Sequence, residues 1–298
     1  MNGKIHVAMA ADQGYWKGLE VAKASMVASC SAPERLEFHL FDEKEGVASR
    51  IRADFGISAG ASMAFVRLYL AELLPDIDWV VYADADTLWY RDVIELWGKR
   101  DETKILQWVR DITSTQLEAS VWQRHINPDF NPRNYGCSGV MLLNLKRMRS
   151  SGLLERAIAF NRRYGLFRYI DQDILNALCH DDCGFLPAWW DVLIPDPANT
   201  QATVMSAGSV AINCVLHLTG VGRCFSGPYE GSVLQYRFWE HVARGAPFCR
   251  PWSLPFCLNE KMTHCLFPLA TTLFRDRLRR FLAYRWLFGK MGFHGASA

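Results

Sequence analysis

The sequence predicts an α/β fold on a doubly wound, parallel sheet. Apolar runs of strand length alternate with stretches of helical periodicity, the first of them make a β-α-β unit, and several runs stop abruptly at acidic or histidine-bearing turns. Ile5–Ala10 reads as the first strand, broken by Asp12. Tyr15–Cys30 follows as a helix, with Leu19, Ala22, Met26 and Val27 at helical spacing, and Leu36–Phe41 is a second short strand. Ligands of such sheets lie beyond the carboxyl ends of the strands, where Asp12 and Asp42 fall.

Further along, Met63–Leu74 is a helix stopped by Pro75, and Trp79–Ala83 is a buried strand running into Asp84, Ala85 and Asp86. Apolar runs at Ile105–Val109 and Val140–Leu145 extend the sheet. Helices are expected over Gly152–Tyr164 and Asp171–Cys179, the second opening with carboxylates suited to a helix N-terminus. A last strand, Ala211–Leu218, ends near His217. No internal repeat or clean linker interrupts the chain, although composition turns aromatic, cysteine-rich and then basic after Pro247.

Composition narrows the function classes. The 298 residues are half hydrophobic and 21% charged, a globular profile that excludes disordered, collagen-like and heptad-repeat proteins. A net charge of +2 argues against a generally basic nucleic-acid binder. The first residues reach Asp12 before an export leader could be completed, and no run approaches the roughly 18 apolar residues of a membrane span. Nine cysteines, scattered without disulfide spacing, fit a reducing cytoplasm.

Three acidic or histidine motifs could carry chemistry. Asp84 and Asp86, one residue apart after an apolar strand, offer hard oxygen ligands for Mg²⁺ or Mn²⁺, or else make a solvated turn. Asp171-Gln172-Asp173-Ile174-Leu175-Asn176 is a second acidic cluster, which also reads as an ordinary helix start. His217-Leu218-Thr219-Gly220-Val221-Gly222-Arg223 follows the last strand, and its histidine is a metal ligand or a structural residue. His180 between Cys179 and Cys183 lacks the second ligand pair of a zinc site. Trp189 and Trp190 offer a sugar-stacking platform or simply fill the core.

Together these motifs stand in the order and spacing of one family. With AADQGY at Ala10–Tyr15, the Met63–Pro75 helix, VVYADADTL at Val80–Leu88, YGCSGVMLLNL at Tyr135–Leu145, DQDILN at Asp171–Asn176 and HLTGVGR at His217–Arg223, the chain resembles glycosyltransferase family 8 over about its first 225 residues. These are retaining GT-A transferases, including bacterial lipopolysaccharide galactosyl- and glucosyltransferases and glycogenin. The resemblance implies a GT-A fold with a Rossmann-like mixed sheet flanked by helices. It implies a catalytic domain, taken over residues 1–248, and the compositional shift after Pro247 marks a basic, aromatic and helical region over 249–298.

The resemblance also implies site roles. Asp84, Asp86 and His217 match the metal ligands, for Mn²⁺ with Mg²⁺ as the alternative. Ala10, Asp12 and Tyr15 match positions holding uracil and ribose, and Arg67, Ala85, Gly220 and Arg223 match positions around the donor's phosphates and sugar. Asp171 and Gln172 match residues lining the reacting sugar. The implied reaction passes galactose or glucose from a UDP-sugar to a glycan or lipid-linked oligosaccharide acceptor of a bacterial envelope. Either a carboxylate nucleophile or a front-side route past the Gln172 amide would retain the anomeric configuration.

Several features depart from the family pattern. Cys137 replaces an asparagine that normally touches the donor sugar, and Arg223 stands where a lysine is usual. The stretch Asp42–Met63 is shorter than in the lipopolysaccharide enzymes. In the tail, Phe274, Leu278, Phe281, Leu282 and Trp286 share one helix face among arginines, as in a helix lying on anionic lipid at the inner face of the plasma membrane or docked on its own domain. Two other readings remain at this level: a haloacid dehalogenase-like phosphatase built on Asp84 and Asp86, and a non-catalytic nucleotide-sugar binder.

Overall fold

Two central strands, buried along their whole length, organise the molecule. The computed structural model describes residues 3–44, 46–57, 59–111, 128–165, 169–193 and 213–217. In chain order the elements are β1 (Ile5–Ala11), α1 (Trp16–Ser29), β2 (Leu36–Asp42), α2 (Gly46–Phe55), α3 (Val66–Leu73), β3 (Trp79–Ala83), β4 (Thr87–Trp89), α4 (Val93–Trp97) and β5 (Leu106–Arg110). Then come β6 (Gly136–Asn144), α5 (Leu145–Ser150), α6 (Leu153–Tyr164), α7 (Ile170–Cys179), β7 (Cys183–Phe185), β8 (Val192–Leu193) and β9 (Val215–His217). They belong to one compact unit drawn from Met1–Pro195 and Ile212–Thr219. The expected domain boundary at 248 and the basic tail lie outside the described residues.

The larger sheet has six strands in the order β2-β1-β3-β6-β5-β7. β1 pairs in parallel with β2 and β3, as the β-α-β opening predicts. β6, however, runs antiparallel to both β3 and β5, so the sheet is mixed rather than wholly parallel. Burial explains why hydrophobic pattern could not reveal this: all nine residues of β6 are buried, and a run apolar on both faces reads the same in either direction. The same strand begins four residues before the expected Val140, because its opening Gly136-Cys137-Ser138-Gly139 lacks large apolar side chains.

Both faces of the sheet are covered. Val7, Met9, Val81 and Leu142 meet Leu19, Ala22 and Met26 of α1 on one side, with Trp89 and Trp190. On the other, Ala8, Val80, Tyr82 and Met141 meet Val47 and Ile51 of α2, Leu70 of α3, Ala157 of α6 and Leu175 of α7. Burying a Leu, Met or Phe side chain is worth about 1.5–3 kcal/mol, so these two layers supply the main drive for folding. The expected helix at Met63–Leu74 becomes regular only at Val66, after a 3-10 turn over Ala59–Phe65. A second sheet, ordered β4-β9-β8, sits beyond the end of β3.

Candidate active site

The chain leaves β3 at Ala83 and turns through Asp84, Ala85 and Asp86 into β4. The Asp84 amide donates to the Gly139 carbonyl at 2.8 Å, and the Thr87 hydroxyl donates to the Asp84 carbonyl at 2.8 Å, which fixes the turn. β4 then pairs with β9 in a register that sets Thr87 opposite His217. This short pairing, absent from the sequence expectations, brings the histidine to the aspartates. His217 Nε2 lies 3.3 Å from Asp86 Oδ1 and 3.7 Å from Asp84 Oδ2.

The opposite side of the imidazole is equally engaged. His217 Nδ1 is 2.9 Å from Oδ1 of Asp191, whose side chain is fully buried just before β8. Asp191 Oδ2 has no hydrogen-bond partner among the described residues. Gly139 clears the space for the ring, since a Cβ there would stand 2.1 Å from His217 Cε1. Cys137, which the resemblance places near the donor sugar, is buried with its Sγ 3.9 Å from His217 Nδ1. Burial pushes that thiol far up, so it is uncharged.

Charge is balanced closely here. Burial, partly offset by Arg67, pushes the Asp84 carboxyl up to about 6, with Asp86 adding to the rise. Burial acts the same way on Asp86, but His217 outweighs it and holds that carboxyl below the usual range. For His217 burial favours the neutral ring, yet Asp191 and Asp86 together raise it well above 6.5. The donor set suits a divalent cation: two carboxylate oxygens and one imidazole nitrogen lie within 4.8 Å of one another. In the metal-free protein the protonated ring balances the carboxylates, and a bound cation would replace that proton, since only the neutral imidazole is a ligand.

Arg67 of α3 joins this group to α7. Only 4% exposed, it donates to Asp84 Oδ1 at 2.7 Å and lies 3.0 Å from Asp171 Oδ2. It also donates to the carbonyls of Ser138 and Ala64, and its guanidinium lies over the Tyr82 ring. The Tyr82 hydroxyl donates to Asp84 Oδ1 as well, so Oδ2 is the oxygen that Asp84 turns toward His217. Gln172 Oε1 accepts from the Ser138 amide at 2.9 Å, while its Nε2 donates to Asp111 at 3.3 Å. Asn176 clamps both backbone groups of Gly136. The DQDILN and YGCSG motifs are therefore two halves of one contact, with side chains of α7 holding the opening of β6.

The remaining predicted residues divide by location. Asp12 ends the β1 edge, its Oδ1 accepting the Tyr15 amide at 3.0 Å, and Tyr15 is exposed. Continuing the register of Val7 with Val81 brings Ala10 level with Asp84, so this turn and the acidic turn open at the same edge of the sheet. Ala10 and Ala85 are buried. Gly220 and Arg223 lie outside the described residues. Cys179, His180 and Cys183 do not gather as a metal-ligand set among the described residues. The tryptophan pair splits: Trp190 is core and Trp189 is exposed, with Arg91 near both rings.

Asp191, Ser138, Asp111 and Gly139 belong to the site and were not singled out from sequence. The one signal for Asp191 was a carboxylate directly after two tryptophans.

Comparison with known proteins follows the same lines. A model of the family described as "Glycosyl transferase family 8" matches residues 56–217. A "Putative glycosyltransferase" of Haemophilus influenzae is 27% identical over 123 residues, covering 41% of this chain and 36% of that protein. "Probable galacturonosyltransferase-like 7" of Arabidopsis thaliana is 26% identical over 181 residues, covering 51% and 50%. The matches thus span half or less of the length of these curated relatives. Among solved structures, the galactosyltransferase LgtC in complex with donor and acceptor sugar analogs gives a TM-score of 0.63 at 22% identity, covering 83% of this chain and 99% of that one. The WbbM bifunctional glycosyltransferase gives 0.66 at 18%, covering 88% and 52%. The fold is accordingly GT-A-like, an α/β architecture with a mixed central sheet.

Proposed function

Because the chain belongs to glycosyl transferase family 8, we propose that it is a retaining, metal-dependent hexosyltransferase. It moves galactose or glucose from a UDP-sugar to a glycan or lipid-linked oligosaccharide, in the synthesis of lipopolysaccharide or another bacterial envelope polysaccharide. One observation carries the reading: Asp84 Oδ2, Asp86 Oδ1 and His217 Nε2 converge at a sheet edge, and Arg67 ties that group to Asp171 beside Gln172.

Asp84, Asp86 and His217 would hold Mn²⁺ or Mg²⁺, whose charge stabilises a diphosphate as the sugar departs. Ala10, Asp12 and Tyr15 would form the nucleoside end and Ala85 would lie toward the phosphates, a role that the family pattern also gives to Gly220 and Arg223. Arg67 sets the spacing between the cation ligands and α7. Asp171 already meets Arg67 and the Ser138 hydroxyl, which suits a positioning group better than a nucleophile and supports a front-side route. The Gln172 amide, fixed by Ser138 and Asp111, is the polar group held ready at the sugar's face. The aromatic and basic region 249–298 provides attachment to an anionic membrane surface from the cytoplasmic side. No helix among the described residues is long and apolar enough to cross a membrane.

The test is UDP release with Mn²⁺ and either UDP-galactose or UDP-glucose, across glycan acceptors and water. Turnover is expected, and Asp86→Ala is expected to lower it by about 100-fold or more, the loss of a main electrostatic stabiliser. Near-normal turnover in that variant would refute the metal assignment. No release with any donor or acceptor would favour a non-catalytic binder, the reading that Cys137 and Arg223 suggest.

A further inference from the structure

A second group of metal-ligating side chains stands at the opposite end of the first two strands. His6 is the second residue of β1, and the parallel register sets it directly opposite Glu37, the second residue of β2. His39 follows two residues later, on the same face as Glu37 because side chains alternate along a strand. This is the face that Ala8, Ala10 and Phe41 present to the core, and the three ligands lie at its margin. Their separation from the acidic turn is large: five residue steps of strand, about 17 Å, separate His6 from Ala11, the last residue of β1.

The side chains converge. His6 Nδ1 and His39 Nε2 are 3.1 Å apart, with the rings tilted 33° to each other. Glu37 Oε1 lies 4.0 Å from His6 Nδ1, and one ligand atom from each of the three falls within 4.8 Å of the others. Zinc–nitrogen bonds of about 2.0–2.1 Å at tetrahedral angles put two ligand nitrogens roughly 3.3 Å apart, close to the spacing found here. The backbone beneath is a run of seven consecutive paired residues on each strand, so the ligands need only side-chain rotation to close on an ion.

From this juxtaposition we infer that His6, Glu37 and His39 form a second metal site, one that takes a borderline divalent ion such as Zn²⁺. Two imidazoles and one carboxylate favour zinc, whereas two carboxylates and one imidazole at the acidic turn favour a harder ion. The site leaves a coordination position open to water and staples β1 to β2, so the bound ion stabilises the first β-α-β unit by mass action.

The experiment is a Zn²⁺ titration of the metal-stripped full-length chain against a chromophoric chelator. Two equivalents are expected, one at each site. The double variant His6→Asn, His39→Gln should lose one equivalent and the Zn²⁺-induced rise in melting temperature that accompanies it, while keeping Mn²⁺-dependent UDP release. Asp84→Asn with Asp86→Asn should lose only the other equivalent, so failure of the transferase reading is separable from failure of this one. In the unmutated chain, Zn²⁺ should slow diethyl pyrocarbonate modification of His6 and His39 at least tenfold. Unchanged stoichiometry in the histidine variant, or equal modification with and without Zn²⁺, would overturn the site.

Discussion

His217 faces two ways, and its usefulness depends on both. Asp191 accepts at Nδ1 and leaves Nε2 as the atom turned to Asp84 and Asp86. A carboxylate behind a histidine fixes its tautomer and orientation and raises its basicity as a ligand, and loss of such a partner typically weakens metal binding 10–100-fold. Asp191→Asn should therefore weaken Mn²⁺ binding by about that factor in an electron paramagnetic resonance titration. Unaltered affinity would make Asp191 a merely structural acid. The site also fixes a pH dependence in the metal-free protein. His217 is raised well above its ordinary 6.5, so its stabilising contribution is complete below that value and is lost as pH rises through the folded one. Asp84, raised from 3.8 to about 6, acts in the same direction, losing stability as pH climbs between those values. Protons and cation compete for the same atoms, so Mn²⁺ should raise the melting temperature more at pH 8 than at pH 5.5. An equal or reversed shift would contradict the proposed ligand set.

Among the elements, β6 does the most positioning, through residues that are small. Alanine at Gly139 would place its Cβ 2.1 Å from His217 Cε1 and 2.3 Å from Nδ1, so the ring must leave Asp191. Gly139→Ala should abolish most Mn²⁺ affinity. Gly136→Ala, whose Cβ would meet the Trp108 ring at 2.1 Å, should cost stability in a urea titration, of the order of 1–3 kcal/mol for overpacking, and leave Mn²⁺ binding in place. If both variants lose metal equally, the glycine's role is general packing. These residues mark where sequence reading stops. Strand β3 and the acidic turn were legible because five buried residues end at two carboxylates, and α7 was legible from its periodicity and acidic start. The opening of β6 was not, because glycine, cysteine and serine carry no strand pattern. Asp191 was hidden too, since its role arises from β8 lying beside the expected last strand, and β8, two residues long, gives no periodicity to read.

For the whole molecule, the near-neutral net charge is an average over unlike parts. Residues 267–298 carry six arginines and lysines against one aspartate, which leaves the preceding 266 residues at −3. Basic side chains close to an anionic bilayer are worth about 1 kcal/mol each. The full chain should sediment with vesicles rich in phosphatidylserine, release as salt is raised, and stay in the supernatant once 267–298 are deleted. Equal binding to uncharged vesicles would point to another role for the tail. The placement of β9 has a consequence in time. Ribosomes deliver a chain from its first residue, and every strand of the six-stranded sheet precedes Leu186, whereas His217 arrives some thirty residues later. β9 then slots between β4 and β8, whose facing edges wait for it. A nascent chain halted in that interval would own both aspartates and most of its scaffold yet lack the histidine, so the proposed cation grip is completed only after the sheet that carries it.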